Sequence, residues 1–296
     1  MTTEKILFDR VALIGAGLIG SSLGRAIRQE QLAKSVAAYS RRSDTRERLS
    51  HLGIVDNVAK SIKEAVDDAD LIIISVPVGA SEDVAKKLAP HIKPGAIVTD
   101  TGSVKESVIR AVVPHLPNSA NFVPGHPIAG TENSGPEAGF ASLFEGRWCV
   151  ITPTNDTNQS AIDKVTNLWQ RMGSKVDIMS AAHHDKVLAI TSHIPHLIAF
   201  NIVGTVADLE DDTKMEAVKY AAGGFRDFTR IAASDPEMWR DVFMENREAV
   251  LEMLGRFSED LSALQRAIRR GDANSLETKF TRTRDLRRRV IDAEQA

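Results

Sequence analysis

The stretch from Val11 to Gly20, reading VALIGAGLIG, constrains this chain more than any other. Its apolar start reads as a strand buried on both faces. The strand breaks at Gly15, Gly17 and Gly20, and helical periodicity resumes over residues 21–27. Strand, G-x-G-x-x-G and helix in that order suit a dinucleotide pyrophosphate. Gly15 allows the tight turn, Gly17 lets the backbone approach phosphate, and Gly20 lets helix and strand touch. The N–H groups at Leu18, Ile19 and Gly20 are then free to bind an anion at the positive end of the helix. The bland alternative is a glycine-rich turn that binds nothing.

The second strand is expected at residues 36–39, and Ser40-Arg41-Arg42 follows it. An NAD site usually has a carboxylate there for the ribose hydroxyls. A hydroxyl followed by two guanidiniums instead suits a 2′-phosphate, so NADP is favoured over NAD. In the alternative, both arginines are solvated and Asp44 reaches the ribose. Residues 70–77 form the clearest buried parallel strand, and the loop at Val76-Pro77 should border the cofactor. Another strand at 95–100 runs into Thr101-Gly102-Ser103-Val104-Lys105-Glu106, where Ser103 and Glu106 read as a capping box.

A histidine at a loop junction follows a further expected strand, in Gly125-His126-Pro127-Ile128-Ala129-Gly130-Thr131-Glu132. Its glycine and proline neighbours hold it rigidly at the ligand-binding edge, where an imidazole can take a proton near neutral pH. The final strands are expected at 147–152 and 175–179, separated by a helix through Leu168 and Trp169. Beyond them the pattern becomes helical only. The reading is an α/β Rossmann-type doubly wound parallel sheet in residues 1–181, followed by an all-α dimerisation domain in 182–296. In the first of these helices His184, Leu188, Ser192 and His196 recur every four residues and should share a face, with Pro195 bending the helix. A metal is not expected, because no cysteine or acidic pair stands at ligand spacing. Further on, Gly223-Gly224 precedes Arg226 and Arg230, and a capped helix start leads to Trp239, a core residue by default.

The chain has 296 residues and a net charge of −3, which argues against nucleic acid or membrane as partner. One cysteine, Cys149, excludes an internal disulfide and fits a reducing cytoplasm. The start, MTTEKILFDR, is too charged for a signal peptide. No apolar run is expected to reach the roughly 20 residues of a membrane span. The arginines between 266 and 290 alternate with acids and read as a solvated helix face.

Taken together, GAGLIG, DTGSVK, GHPIAGTENSG, TSHIPHLIAF and GGFRDFTRIAASDPEMWRD resemble the prephenate/arogenate dehydrogenases. The likeness spans nearly the whole chain. It implies an NAD(P)-dependent, cytoplasmic homodimer of tyrosine biosynthesis, acting on a small molecule, prephenate or arogenate. By the same resemblance His126 is the base, and Ser103 orients it and the substrate hydroxyl. Arg230 holds a substrate carboxylate. His196, Ser192 and His184 line the pocket, Glu132 guards the entrance and Trp239 lies near the side chain. Ser40-Arg41-Arg42 departs from the NAD-preferring members. Two rival readings are a 3-hydroxyacid dehydrogenase-like reductase using Lys186, and a non-catalytic cofactor sensor. The first leaves GHPIAG and DFTR unexplained, and the second would lack His126 or Arg230.

Overall fold

The computed structural model describes residues 6–292. Six parallel strands form the main sheet in the order β3-β2-β1-β4-β5-β6. They are β1 (Phe8–Ile14), β2 (Ala33–Tyr39), β3 (Asn57–Val58), β4 (Leu71–Ile74), β5 (Ile97–Asp100) and β6 (Asn121–Val123). The connecting helices are α1 (Leu18–Gln29), α2 (Ser43–Leu52), α3 (Ile62–Val66), α4 (Ser81–Leu88) and α5 (Glu106–Val112). Burial explains the sequence of the central strands. Val11, Leu13, Leu71 and Ile73 pack on one face with α1. Ala12, Ile14, Ile72 and Ile74 pack on the other, so apolar residues occupy every position instead of alternate ones. The strand order reverses between β1 and β4, which opens a crevice at their carboxyl ends.

The later strands do not extend this sheet. β7 (Gly125–Pro127), β8 (Trp148–Ile151) and β9 (Lys175–Ile178) form a separate sheet, with β7 antiparallel to β8 and β8 parallel to β9. His126 therefore lies within a short strand, opposite Val150, and not in the loop expected from the sequence. α6 (Gln159–Arg171) packs Trp169 into the core, edge-on to Phe144. Cys149 is buried, and burial pushes its thiol pKa well up, leaving it a small core residue.

From Ala181 onward the described chain is helical. α7 (Ala181–Leu188) passes through a π turn, Ala189–His193, into α8 (Ile194–Ala207). Then come α9 (Asp211–Lys219), α10 (Gly223–Thr229) and α11 (Pro236–Glu245). Asp235 caps α11 by accepting from the N–H groups of Glu237 and Met238. Two long helices follow, α12 (Arg247–Arg270) and α13 (Ala273–Asp292). The chain divides into two compact units, the first ending at Arg247 and the second beginning at Glu248. The first unit runs past the change to all-helical structure because Trp239 and Val242 of α11 join the sheet core beside Val78 and Val104. In the second unit the arginine-rich face is exposed and ion-paired, as between Arg288 and Asp285.

Two sequence expectations need correction here. The helical run Ala181–Ala207 is long and apolar enough to cross a membrane by length and composition, with mean hydropathy 1.5. It also carries buried His184, Asp185 and His193, which are hydrogen-bonded inside the protein. The capping box at Ser103 does not form. α5 begins at Glu106 without a local side-chain cap, and its N–H groups are taken by a carboxylate 79 residues away, Asp185. The reading that residues 1–5 are no leader lies outside the described residues.

Candidate active site

The glycine turn is built for close approach. Gly15 has φ +97°, and a Cβ there would lie 2.1 Å from the Ser75 carbonyl oxygen and 2.9 Å from Val76. A Cβ on Gly20 would lie 2.2 Å from the Gly15 carbonyl oxygen. At Gly17 nothing comes within 4 Å, so the backbone there faces open space. Gly17 is the N-cap of α1 and supplies no side-chain cap, and no acid stands in the first turn. The N–H groups of the first turn, at Leu18, Ile19 and Gly20, therefore lack a side-chain acceptor. Those features fit a dinucleotide pyrophosphate. Pro77 is exposed and Val76 half-buried at the end of β4.

At the end of β2, Arg41 is exposed. Arg42 donates twice to Asp44, at 3.1 and 2.8 Å. Arg46 donates to the carbonyls of Ser40 and Arg41 at 2.7 and 3.0 Å and lies over the Tyr39 ring. Arg42 holds the Asp44 carboxyl below its ordinary pKa.

From this turn a polar path leads to the histidine. Thr101 donates to Ser75 at 3.1 Å, and Asp100 closes β5 beside it. Asp100 accepts from the N–H groups of Gly102 at 2.8 Å and Gly125 at 3.2 Å. Its partner is Lys105, whose side chain is wholly buried and whose Nζ also donates to the Gly125 carbonyl at 2.6 Å. His126 follows Gly125 directly. Its Nδ1 is 2.8 Å from Nε2 of His184, and Nδ1 of His184 is 2.8 Å from Oδ1 of Asp185. Burial, with His184, Lys105 and His193 adding to it, holds the His126 pKa well below that of a free imidazole. Burial lowers that of His184 as well, against the pull of Asp185. Both rings are neutral near neutral pH.

Asp185 also accepts from the backbone N–H of Lys105 at 2.7 Å and of Glu106 at 2.9 Å. Asn246, just past α11, donates to the Asp185 carbonyl at 2.9 Å and to Nδ1 of His193 at 3.0 Å. Burial pushes His193 down to about 4, and the Ser103 backbone lies beside its ring. Ser103 is half-buried in the turn before α5.

A π turn lies within the expected helix, between His184 and His196. It inserts one residue between α7 and α8. His184 and His196, more than two turns apart, have different neighbours. His184 packs edge-on against His126, with both ring nitrogens engaged in the protein. His196 stacks on Trp239 at 3.7 Å, while its Nδ1 bonds the Ser192 carbonyl at 2.9 Å. Trp239 is buried, and Ser192 is half-buried. Burial first, and Arg230 beyond it, lower the His196 pKa. Arg230 is exposed and pairs at 2.6 Å with Glu132, six residues beyond His126. Lys186 is exposed, on the opposite side of α7 from the buried His184 and Asp185. Asp100, Lys105, Asp185, His193 and Asn246 were not singled out as site residues from the sequence. The one sequence signal for the first two is their place in DTGSVK.

A fold that cradles a dinucleotide and holds a neutral imidazole along the same polar path is that of a pyridine-nucleotide dehydrogenase. A family model described as the prephenate dehydrogenase nucleotide-binding domain matches residues 23–178, and one described as its dimerization domain matches 180–282. The chain is 43% identical over 281 residues to the cyclohexadienyl dehydrogenase of Zymomonas mobilis, covering 95% of this chain and 96% of that one. It is 32% identical to the prephenate dehydrogenase of Bacillus subtilis, over 94% of this chain and 75% of that protein. Among solved structures, prephenate dehydrogenase from Aquifex aeolicus, in complex with hydroxyphenyl propionate and NAD+, superposes with a TM-score of 0.88 at 34% identity. That match covers 95% of this chain and 98% of the other. This chain belongs to the prephenate dehydrogenase family.

Proposed function

We propose that His126 is the general base in the oxidative decarboxylation of prephenate, arogenate or both, in tyrosine biosynthesis. The substrate is a cyclohexadienol with a carboxylate on C1 and a hydroxyl on C4. The reaction takes hydride from C4, a proton from its hydroxyl and CO2 from C1, and yields an aromatic phenol. The nicotinamide, when bound, supplies the hydride acceptor. Aromatisation drives the reaction, so the protein's task is to align, to remove one proton and to hold an anion. The single observation carrying this reading is the neutral, buried imidazole of His126 with its Nδ1 already engaged.

Around it the other residues take subsidiary parts. Gly15, Gly17 and the N–H groups of Leu18, Ile19 and Gly20 hold the diphosphate, and Val76 and Pro77 border the cofactor. Arg230, released from Glu132, pairs with a substrate carboxylate. Glu132 stands at the entrance, and His196, Ser192 and Trp239 form a wall of the pocket. Ser103 orients the hydroxyl beside His126.

NADP is preferred to NAD in this reading. Arg41 is exposed beside the end of β2, and the acid nearest it in the turn, Asp44, is already held by Arg42. The enzyme works as a cytoplasmic homodimer through the helical part after residue 181. Exposed Ile190, Met215 and Val218 are apolar surface of the kind a second copy covers. The test is a four-way rate comparison, prephenate and arogenate against NAD+ and NADP+, followed by nicotinamide absorbance. Turnover with at least one pairing is expected, fastest with NADP+. No turnover with either substrate would overturn the reading.

A further inference from the structure

The hydrogen bonds leading away from His126 determine which of its nitrogens reacts. Asp185 accepts three of them, from the Lys105 and Glu106 N–H groups and from His184. The two backbone groups can only donate, so the carboxylate oxygens face donors on every side. A carboxylate accepts only, so the proton in the contact with His184 sits on the His184 Nδ1. A neutral imidazole with Nδ1–H has a lone pair on Nε2. That lone pair faces Nδ1 of His126 at 2.8 Å, so Nδ1 of His126 must donate. The remaining nitrogen of His126, Nε2, is left without its proton. It has no hydrogen-bond partner among the described residues.

We propose that Asp185 and His184 are positioning residues for the reaction, fixing His126 in the tautomer whose free lone pair is on Nε2 and stabilising it once protonated. The proposal rests on the reading of His126 as the base. In the step concerned, the O–H bond of the substrate hydroxyl breaks and an Nε2–H bond forms. The resulting imidazolium keeps its Nδ1–H on His184, and the positive charge is balanced through His184 by the Asp185 carboxylate.

The local charge makes that balance necessary. His126 is faced by His184 from α7, by His193 from the π turn and by Lys105 from the turn before α5, with Asp100 behind the lysine. Lys105 and Asp100 form an ion pair of their own. Asp185 is therefore the carboxylate connected to His126 by a continuous hydrogen-bond path. The same side chain holds the start of α5. The Ser103 turn and the His126 ring are thus tied to one anchor.

The chain of bonds makes specific substitutions informative. In Asp185→Asn, the side-chain oxygen in the Oδ1 position still accepts from both the Lys105 N–H and His184, so the tautomer persists while the balancing charge is lost. His184→Leu removes the acceptor altogether. His184→Gln restores one, since a glutamine oxygen can accept from Nδ1.

The decisive readout is long-range proton–nitrogen NMR of the whole enzyme near neutral pH, with the His126 ring identified by its loss in His126→Asn. The expected spectrum has Nδ1 protonated and Nε2 bare, a pattern that Asp185→Asn keeps and His184→Leu loses. Steady-state kinetics should show kcat falling about tenfold or more in Asp185→Asn, where only the charge is lost, and about 100-fold or more in His184→Leu, as a misassigned tautomer costs in other His–carboxylate pairs. KM and nucleotide affinity should stay within about threefold, and His184→Gln should recover about tenfold, consistent with general-base contributions. A wild-type His126 protonated on Nε2 would overturn the proposal even if Asp185→Asn failed to fold. So would near-normal kcat in His184→Leu alongside a dead His126→Asn. Normal turnover in His126→Asn would instead overturn the base reading beneath it.

Discussion

Replacing Lys105 with methionine should destabilise the enzyme strongly, although no surface changes. The Lys105 side chain is 0% exposed and that of Asp100 is 2% exposed. Methionine fills nearly the same volume but leaves the Asp100 carboxylate with only two backbone donors, Gly102 and Gly125. It also strips the Gly125 carbonyl of its Nζ partner. Removing one member of a buried pair costs about 3–5 kcal/mol, because an uncompensated charge stays in a dry site. An orphaned carbonyl adds about 1–3 kcal/mol. Against a total stability of about 5–15 kcal/mol, the single variant should lie near the edge of folding. The double variant Lys105→Met with Asp100→Asn should recover most of the loss, since no buried charge remains. Urea unfolding of these two variants and of Asp100→Asn alone, with the wild type, closes the cycle. A single-variant loss below about 1 kcal/mol would refute the reasoning, as surface pairs behave that way. So would additive losses in the double.

The remaining predictions concern substrate and acid. Arg230→Ala should raise KM for prephenate about ten- to hundredfold, the worth of a charge-assisted hydrogen bond, with kcat little changed; an unchanged KM would remove Arg230 from the binding site. Folding stability should fall on acidification. His193 has a folded pKa of about 4 against about 6.5 unfolded, so the unfolded state binds the extra proton between those values. Its destabilising contribution is absent above pH 6.5, grows as pH falls toward about 4, and reaches about 3 kcal/mol. His126, His184 and His196 are shifted in the same direction. Urea midpoints measured across that range should drop, and less so in His193→Gln. A midpoint flat from pH 7 to 4 would contradict the buried neutral histidines.

The parts of this molecule legible in the sequence are those where a local pattern has one physical solution. At Gly15 the positive φ and the absent Cβ leave no other residue possible, and the LIII run of β4 has no polar face to expose. The end of strand signals near residue 181 likewise marks the start of α7. The hidden parts depend on partners far away in the chain. Strand periodicity does not encode direction or neighbour, so β8 and β9 read as more of the main sheet, and three-residue β7 reads as a loop. Ser103 and Glu106 have capping spacing, yet Asp185 accepts from the same helix start with two oxygens. The row from His184 to His196 reads as one set of pocket residues, yet its ends meet different partners, His126 and Trp239, that only the fold brings near. Lys105 looks like a surface residue because nothing local announces Asp100 and the Gly125 carbonyl as its partners.

The central claim is that His126 removes the substrate proton. The most direct measurement is turnover of prephenate by His126→Asn, with binding of substrate and nucleotide measured in parallel. Binding should survive within a few-fold while turnover falls about 10²–10⁴-fold, the usual worth of a general base. Turnover near that of the wild type would show that the proton leaves by another route.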